Sequence, residues 1–171
     1  MERDEALADF ERARAEWDEA FARVPDAALG YLKPGDDYAL GGLLVHVNWV
    51  LARYARVLHA VIEAGFAEMI AKDPPGAEEQ ALRQAKQGLS PSERRGELQT
   101  MARLHDRFRA AIEGLPAADW SRQCRVVYGA GEEPYPTTPE DILGWLRDHY
   151  REHVAQTAEL IEDWRAAKGA G

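Results

Sequence analysis

An all-α fold, a four-helix bundle, is what this sequence predicts, and three observations predict it. Four segments repeat their apolar residues at the helical period. Two of them open on strong helix-start signals, at Ser90 and at Thr138. No convincing sheet and no internal repeat competes with packing four amphipathic helices around one core. The 171 residues are expected to form one domain, 1–171.

The first helix is read from Leu7, Phe10, Trp17, Phe21 and Val24, which step by three, four or seven and stop at Pro25. Gly30 to Asp37 is turn material, with aspartates placed to cap a following helix. The second helix is expected from about Tyr38 towards Ile70. Its buried stripe is Leu43, Val47, Val50, Leu51, Tyr54, Val57, Leu58 and Val61. Gly41, Gly42 and Gly65 weaken it locally, but a glycine at a crowded crossing lets backbones approach. Lys72 to Gly88, with Pro74-Pro75-Gly76, looks least ordered, with room for a short helical turn. Ser90-Pro91-Ser92-Glu93 then starts the third helix as a capping box with Pro at the first position. It carries Leu98, Met101, Leu104, Phe108 and Ile112 and ends near Gly114. Pro116 to Pro136 reads as loop. Within it, Gln123 to Tyr128 is apolar enough for a strand or lid, and Gly129-Ala130-Gly131 offers a hinge. Thr138-Pro139-Glu140-Asp141 repeats the start signal, and the fourth helix buries Ile142, Trp145, Leu146, Leu160, Ile161 and Trp164. Short connections make helices 1 and 2, and helices 3 and 4, candidate antiparallel neighbours. The long middle link implies a crossover between helices 2 and 3, hence an up-down-down-up order.

Composition narrows the function. A formal charge of −9, with Arg94 and Arg95 interleaved with Glu93 and Glu97, provides no positive field for nucleic acid or anionic membranes. The stretch Ala39 to Ala52 is too short for a bilayer span of ~20 residues, and the acidic start is unlike a signal peptide. A cytoplasmic location is the expectation. Cys124 is alone, which excludes an intramolecular disulfide and a Cys-rich zinc module, and it reads as a free thiol rather than a catalytic one.

Chemistry at a defined point is offered by the histidines, of which there are five. His149 and His153 stand four apart on the fourth helix, offset by only about 40° around its axis, on the Ile142, Trp145, Leu146 stripe. His46 falls between Leu43 and Val50 on the buried side of helix 2. His59, thirteen residues on, is rotated roughly 140° away and reads as a surface residue. His105 also points inward, as a core histidine, a supporting group or an extra ligand. Two imidazoles from one helix and one from a facing helix can converge on a metal in a bundle core. Three neutral nitrogens suit a divalent transition metal (Zn²⁺, Ni²⁺ or Fe²⁺) better than Mg²⁺ or Ca²⁺. They also leave coordination positions open, which is the catalytic pattern. The Glu that follows the first His in the zinc-protease pattern is missing here.

Gly41-Gly42-Leu43-Leu44-Val45-His46-Val47 after a Pro-Gly turn, Thr138-Pro139-Glu140-Asp141-Ile142-Leu143, and Leu146-Arg147-Asp148-His149 with His153 together resemble the DinB-like superfamily of metal-binding four-helix bundles. The resemblance runs from about Glu2 to Trp164. It implies the up-down-down-up bundle, frequent homodimers, and ligand positions at His46, His149 and His153, with no regular counterpart for His59 or His105. It also implies a metal-dependent enzyme acting on a small-molecule substrate, either a hydrolase or a transferase using a low-molecular-weight thiol. The alternatives are a non-enzymatic metal- or small-ligand-binding bundle of the stress response, and three hydrogen-bonded core histidines without metal. Tyr54, Asn48, Asp106 and Tyr150 are candidate helpers, each read as packing or surface before catalysis.

Overall fold

In the computed structural model, which describes residues 1–169, α1 (Arg3–Ala22) buries Phe10, Trp17 and Phe21 along one stripe and ends before Pro25. The other α-helices and strands are α2 (Gly42–Glu63), β1 (Met69–Ile70), α3 (Ala77–Gln87), α4 (Pro91–Glu113), β2 (Cys124–Val127), β3 (Tyr135–Thr137) and α5 (Pro139–Gly169). The four long helices are those expected, so the third and fourth helices of the sequence are α4 and α5. Each buried Leu, Phe or Met of their facing stripes contributes about 1.5–3 kcal/mol.

The bundle runs up-down-down-up. Asp9 meets Arg151 at 2.7 Å and Met1 meets Glu140 at 2.6 Å, so α1 and α5 run parallel. Asn48 reaches Glu97, each near the start of its helix, which aligns α2 with α4. His46 meets His149 while Tyr54 meets Trp145, so α2 and α5 are antiparallel. The closest pairs are therefore α1 with α5 and α2 with α4 and α5, not the consecutive helices expected as neighbours. The linkers Arg23 to Gly41 and Gly114 to Thr138 are long enough to carry the chain past the adjacent position, so order in sequence does not impose adjacency in space.

Three further differences refine the expected outline. First, α2 starts at Gly42 rather than Tyr38, and no side chain caps it, so Asp36 and Asp37 do not serve as caps. It stops at Glu63 because Gly65 and Phe66 both take positive φ. Second, the stretch expected to hold one helical turn contains the eleven residues of α3. Third, a small sheet exists where none was expected: β1 pairs parallel with β2, and β2 antiparallel with β3, in the order β1-β2-β3. Strands of two to four residues are too short to show a period. Within Gln123 to Tyr128 the strand does form, with Cys124 and Val126 buried and Arg125 exposed. The sheet ties the crossover to the linker before α5.

The start signals read from the sequence are present in full. Glu93 N–H donates to Ser90 Oγ while Ser90 N–H donates to Glu93 Oε2. Thr138 and Asp141 exchange the same pair of bonds at the start of α5. The crowded glycines matter most at the other end of the site. A Cβ on Gly42 would lie 1.7 Å from the Ala85 carbonyl oxygen of α3, and one on Gly41 would lie 2.5 Å from the Leu29 carbonyl oxygen. Ala39 N–H donates to that same Ala85 carbonyl at 2.9 Å, so α3 is docked directly on the start of α2.

Candidate metal centre

His46 lies on the second turn of α2, held there by the α3 contact one turn earlier. Tyr38, in the segment leading into α2, stacks on its ring at 4.3 Å between centroids and 23° between planes. His149 and His153 project from successive turns of α5 towards it. His149 Nε2 lies 3.0 Å from His46 Nε2 and 3.0 Å from His153 Nε2. One ring nitrogen from each of the three lies within 4.8 Å of the others. His153 is 4% exposed and packs edge-on against Trp17, while His46 and His149 are half-buried. The three histidines singled out by helical phase are thus brought together, one from α2 and two from α5.

Burial governs their charge. Desolvation, and then the neighbouring His153, hold His46 down to about 4. Desolvation followed by His153 and His46 holds His149 down to about 3. His153 is also lowered by burial, opposed by the hydrogen bond it donates to Gln156. All three are neutral near pH 7, with lone pairs available. His153 Nδ1 donates to Gln156 Oε1 at 2.7 Å, which leaves its Nε2 as a lone pair directed at the cluster.

The donor set can then be tested. If His153 Nε2 bears no hydrogen, a hydrogen on His149 Nε2 can bridge one 3.0 Å contact but not both. The remaining contact sets two nitrogens against each other with nothing shared between them. A second proton would bridge it, but burial opposes that charge. A divalent cation held by His46, His149 and His153 would resolve the conflict, because their lone pairs could then all face one ion. Three neutral imidazole donors fit a transition-metal ion.

Two clefts flank the cluster. One, about 220 Å³, lies on the His46 side between α2 and α3 and includes Tyr38 and Glu78. The other, about 350 Å³, lies on the His149 side between α2 and α5 and includes Trp49, Arg53, Tyr54, Trp145 and Glu152. Trp49 borders both. Tyr128 and Tyr135, from the segment before α5, pack on Trp145, so this segment furnishes aromatic wall beside the cleft.

The other candidates separate cleanly. His59 is exposed and pairs with Glu63. His105 is buried at 2% exposure, stacked on Phe10 at 4.3 Å and bonded to Tyr150 and Glu11; it is outside the cluster and satisfied. Tyr150 serves His105 in turn. Asn48 turns away towards Glu97, and Asp106 is exposed on α4. Tyr54 alone of the four helpers borders the site. Cys124 is buried and donates to the Ala67 carbonyl, and burial pushes its thiol up, so it is not poised to react. Sequence reasoning missed Tyr38, Trp49, Arg53, Glu152 and Gln156. Gln156, three residues after His153 on the same helical face, carried a usable signal. Tyr38 did not, because its place follows from how α3 docks.

Residues 9–157 match the model of the DinB superfamily. No curated protein is significantly similar in sequence. Among solved structures, the fold is similar to that of YfiT from Bacillus subtilis, described as a probable metal-dependent hydrolase with an unusual four-helix bundle topology. That match has 18% identity and a TM-score of 0.71, covering 95% of this chain and 87% of the other. The mycothiol-dependent maleylpyruvate isomerase is similar at 17% identity and a TM-score of 0.67 over 91% of this chain. This chain spans 60% of the length of that isomerase. At these identities the similarity establishes the fold.

Proposed function

This chain belongs to the DinB superfamily, and from that premise we propose that it is a metal-dependent enzyme whose divalent transition-metal ion is held by His46, His149 and His153. The observation that carries this reading is the approach of three imidazole nitrogens whose contacts no set of neutral tautomers satisfies. When bound, the ion supplies Lewis acidity that lowers the pKa of a coordinated water or thiol. The chain's own residues do the rest. Gln156 orients His153, Tyr38 fixes the plane of His46, and burial keeps all three rings neutral. The aromatic walls of the His149-side cleft exclude water from an apolar ligand.

The substrate is a small molecule, processed by hydrolysis or by transfer of a low-molecular-weight thiol. Support for hydrolysis comes from the likeness to YfiT, and support for thiol chemistry from the likeness to the mycothiol-dependent isomerase. The reading includes a homodimer in the cytoplasm. No helix among the described residues is long and apolar enough to cross a membrane.

Untagged protein purified without added metal is expected to hold close to one equivalent of Zn, Ni or Fe by elemental analysis. His149→Ala should lose most of it, and His59→Ala none. Stoichiometrically metal-free protein that does not take up Zn²⁺ would overturn the reading. A panel of esters, amides and electrophiles with and without thiols then separates hydrolase from transferase. Inactivity throughout, with metal retained, would favour a binding protein.

A further inference from the structure

The cleft between α2 and α5 is electrically uneven along its length. At one end stand the imidazoles, with Glu152 beside them; at the other, two turns further along α2 (about 10 Å of rise), stands Arg53. The remaining walls are aromatic. Trp49 and Tyr54 come from α2 and Trp145 from α5, with Tyr54 and Trp145 rings 5.6 Å apart. The indole N–H of Trp49 is buried in this wall with no hydrogen-bond partner among the described residues.

Arg53 is not fully spent. Its Nε meets Asp73 Oδ2 at 3.2 Å, and its guanidinium lies 5.4 Å from the centre of the Trp49 ring. Asp73 is shared, because Arg56 engages its other oxygen at 2.6 Å. Two guanidiniums on one carboxylate leave a surplus positive charge. The terminal nitrogens of Arg53 carry no hydrogen bond among the described residues, while its side chain is only 23% exposed. Of the two carboxylates in the cleft, Asp148 is bonded to Arg147 at 2.7 Å, and Glu152 lies at the imidazole end, away from Arg53. A half-buried guanidinium with free donors, set over an aromatic ring, suits a planar anion.

We propose that this cleft binds a small amphipathic anion, with its carboxylate on Arg53, its apolar body between Trp49, Tyr54 and Trp145, and its opposite end at the imidazoles. The assignment of that end as the reacting one rests on the metal-enzyme reading; the binding itself does not. The carboxylate could belong to a thiol co-substrate or to the molecule it attacks. The shared chemistry is a carboxylate about two helical turns from the reacting atom.

The test is titration of the full-length protein, as purified and again after chelation, followed by tryptophan fluorescence and calorimetry. The probes are 3-phenylpropionate, its neutral counterpart 3-phenylpropan-1-ol, and the thiol carboxylate N-acetylcysteine. At least one carboxylate should bind, with 3-phenylpropionate favoured over the alcohol. Whichever carboxylate binds more tightly identifies the source. Arg53→Gln should weaken carboxylate binding by about tenfold and leave the alcohol unaffected. Arg53→Lys should restore part of the loss, and Asp73→Asn should tighten binding by removing the competing carboxylate. The sign of the Asp73→Asn effect remains informative even if Arg53→Gln does not fold. Carboxylate and alcohol binding equally, or no change in either variant, would overturn the proposal. Arg53-dependent binding that persists after chelation separates this result from failure of the metal reading.

Discussion

Replacing Gln156 by leucine removes the only hydrogen bond, among the described residues, that any of the three clustered imidazoles makes through Nδ1. The bond is short, at 2.7 Å, and runs from His153 Nδ1 to Gln156 Oε1 on the turn above. Its loss has two consequences. His153 becomes free to carry its hydrogen on Nε2, the atom that faces His149 at 3.0 Å, and the ring loses one restraint on its rotation. An outer partner of a metal-binding histidine is typically worth 10–100-fold in metal affinity, or about 1.4–2.7 kcal/mol. A neutral hydrogen bond contributes only about 0.5–1.5 kcal/mol to folding. Because Gln156 is half-buried rather than core, leucine should therefore shift metal affinity more than stability. Zn²⁺ affinity is measured by competition with a chromophoric chelator, and stability by urea unfolding of the metal-free protein. Glutamate at the same position accepts more strongly and should keep or tighten the affinity. If leucine leaves Zn²⁺ affinity unchanged while the protein stays folded, Gln156 does not orient His153 and the tautomer argument fails with it.

Two other outcomes follow from burial and close packing. In the metal-free protein His46 and His149 are depressed to about 4 and 3, whereas an unfolded histidine titrates near 6.5. The unfolded state therefore takes up protons first, so this contribution is constant above about pH 6.5 and is lost as pH falls below it. The slope is at most about 1.4 kcal/mol per pH unit per histidine, and less here because both rings are half-exposed. Urea midpoints between pH 7.5 and 5 should fall, and His149→Gln should flatten the decline; a flat wild-type profile would contradict the desolvation. Gly42→Ala should destabilise the protein by about 1–3 kcal/mol, because the new methyl overlaps Ala85 backbone that cannot rotate away. Gly96→Ala, in α4 with nothing within 4 Å of its would-be Cβ, should instead gain about 0.5–1 kcal/mol; equal melting temperatures for the two would refute the packing account.

The legible part of this molecule is the part governed by period. Phe10, Trp17 and Phe21 declared α1, and the capping pairs Ser90–Glu93 and Thr138–Asp141 are present at the atoms their spacing implied. The same helical phase separated His46, His149 and His153 from the exposed His59. Phase fails where position depends on what a linker does. Residue 38 gives no hint in sequence that its ring lies on His46, since that contact is set by α3 docking on Gly42. The β1–β2 pair joins residues far apart in the chain through strands too short to alternate. His105 shows the limit within a helix: its inward phase was read correctly, but only Phe10, Tyr150 and Glu11 reveal that it is a satisfied core residue.

This division bears on what in the site is rigid and what is adjustable. The three imidazoles stand on long helices whose registers are locked by the core, by parallel pairing of α1 with α5, and by the α3 contact at Gly42. They cannot shift without unpacking Leu43, Val47 and Leu146, each no more than 2% exposed. The walls of the His149-side cleft have a mixed origin. Trp49, Arg53, Tyr54 and Trp145 also stand on α2 and α5, but their outer support comes from Tyr128, Tyr135 and Asp73 on the two linkers that the small sheet joins. Linker substitutions can therefore reshape the cleft, and can tune the charge on Arg53 through Asp73, at little cost to the bundle. The position of the histidine cluster is thus a property of the helices, and the shape of the adjoining cleft is open to the linkers. Exchanging Asp73 should accordingly alter ligand preference while leaving metal content unchanged, a combination that a site built wholly on one rigid body would not produce.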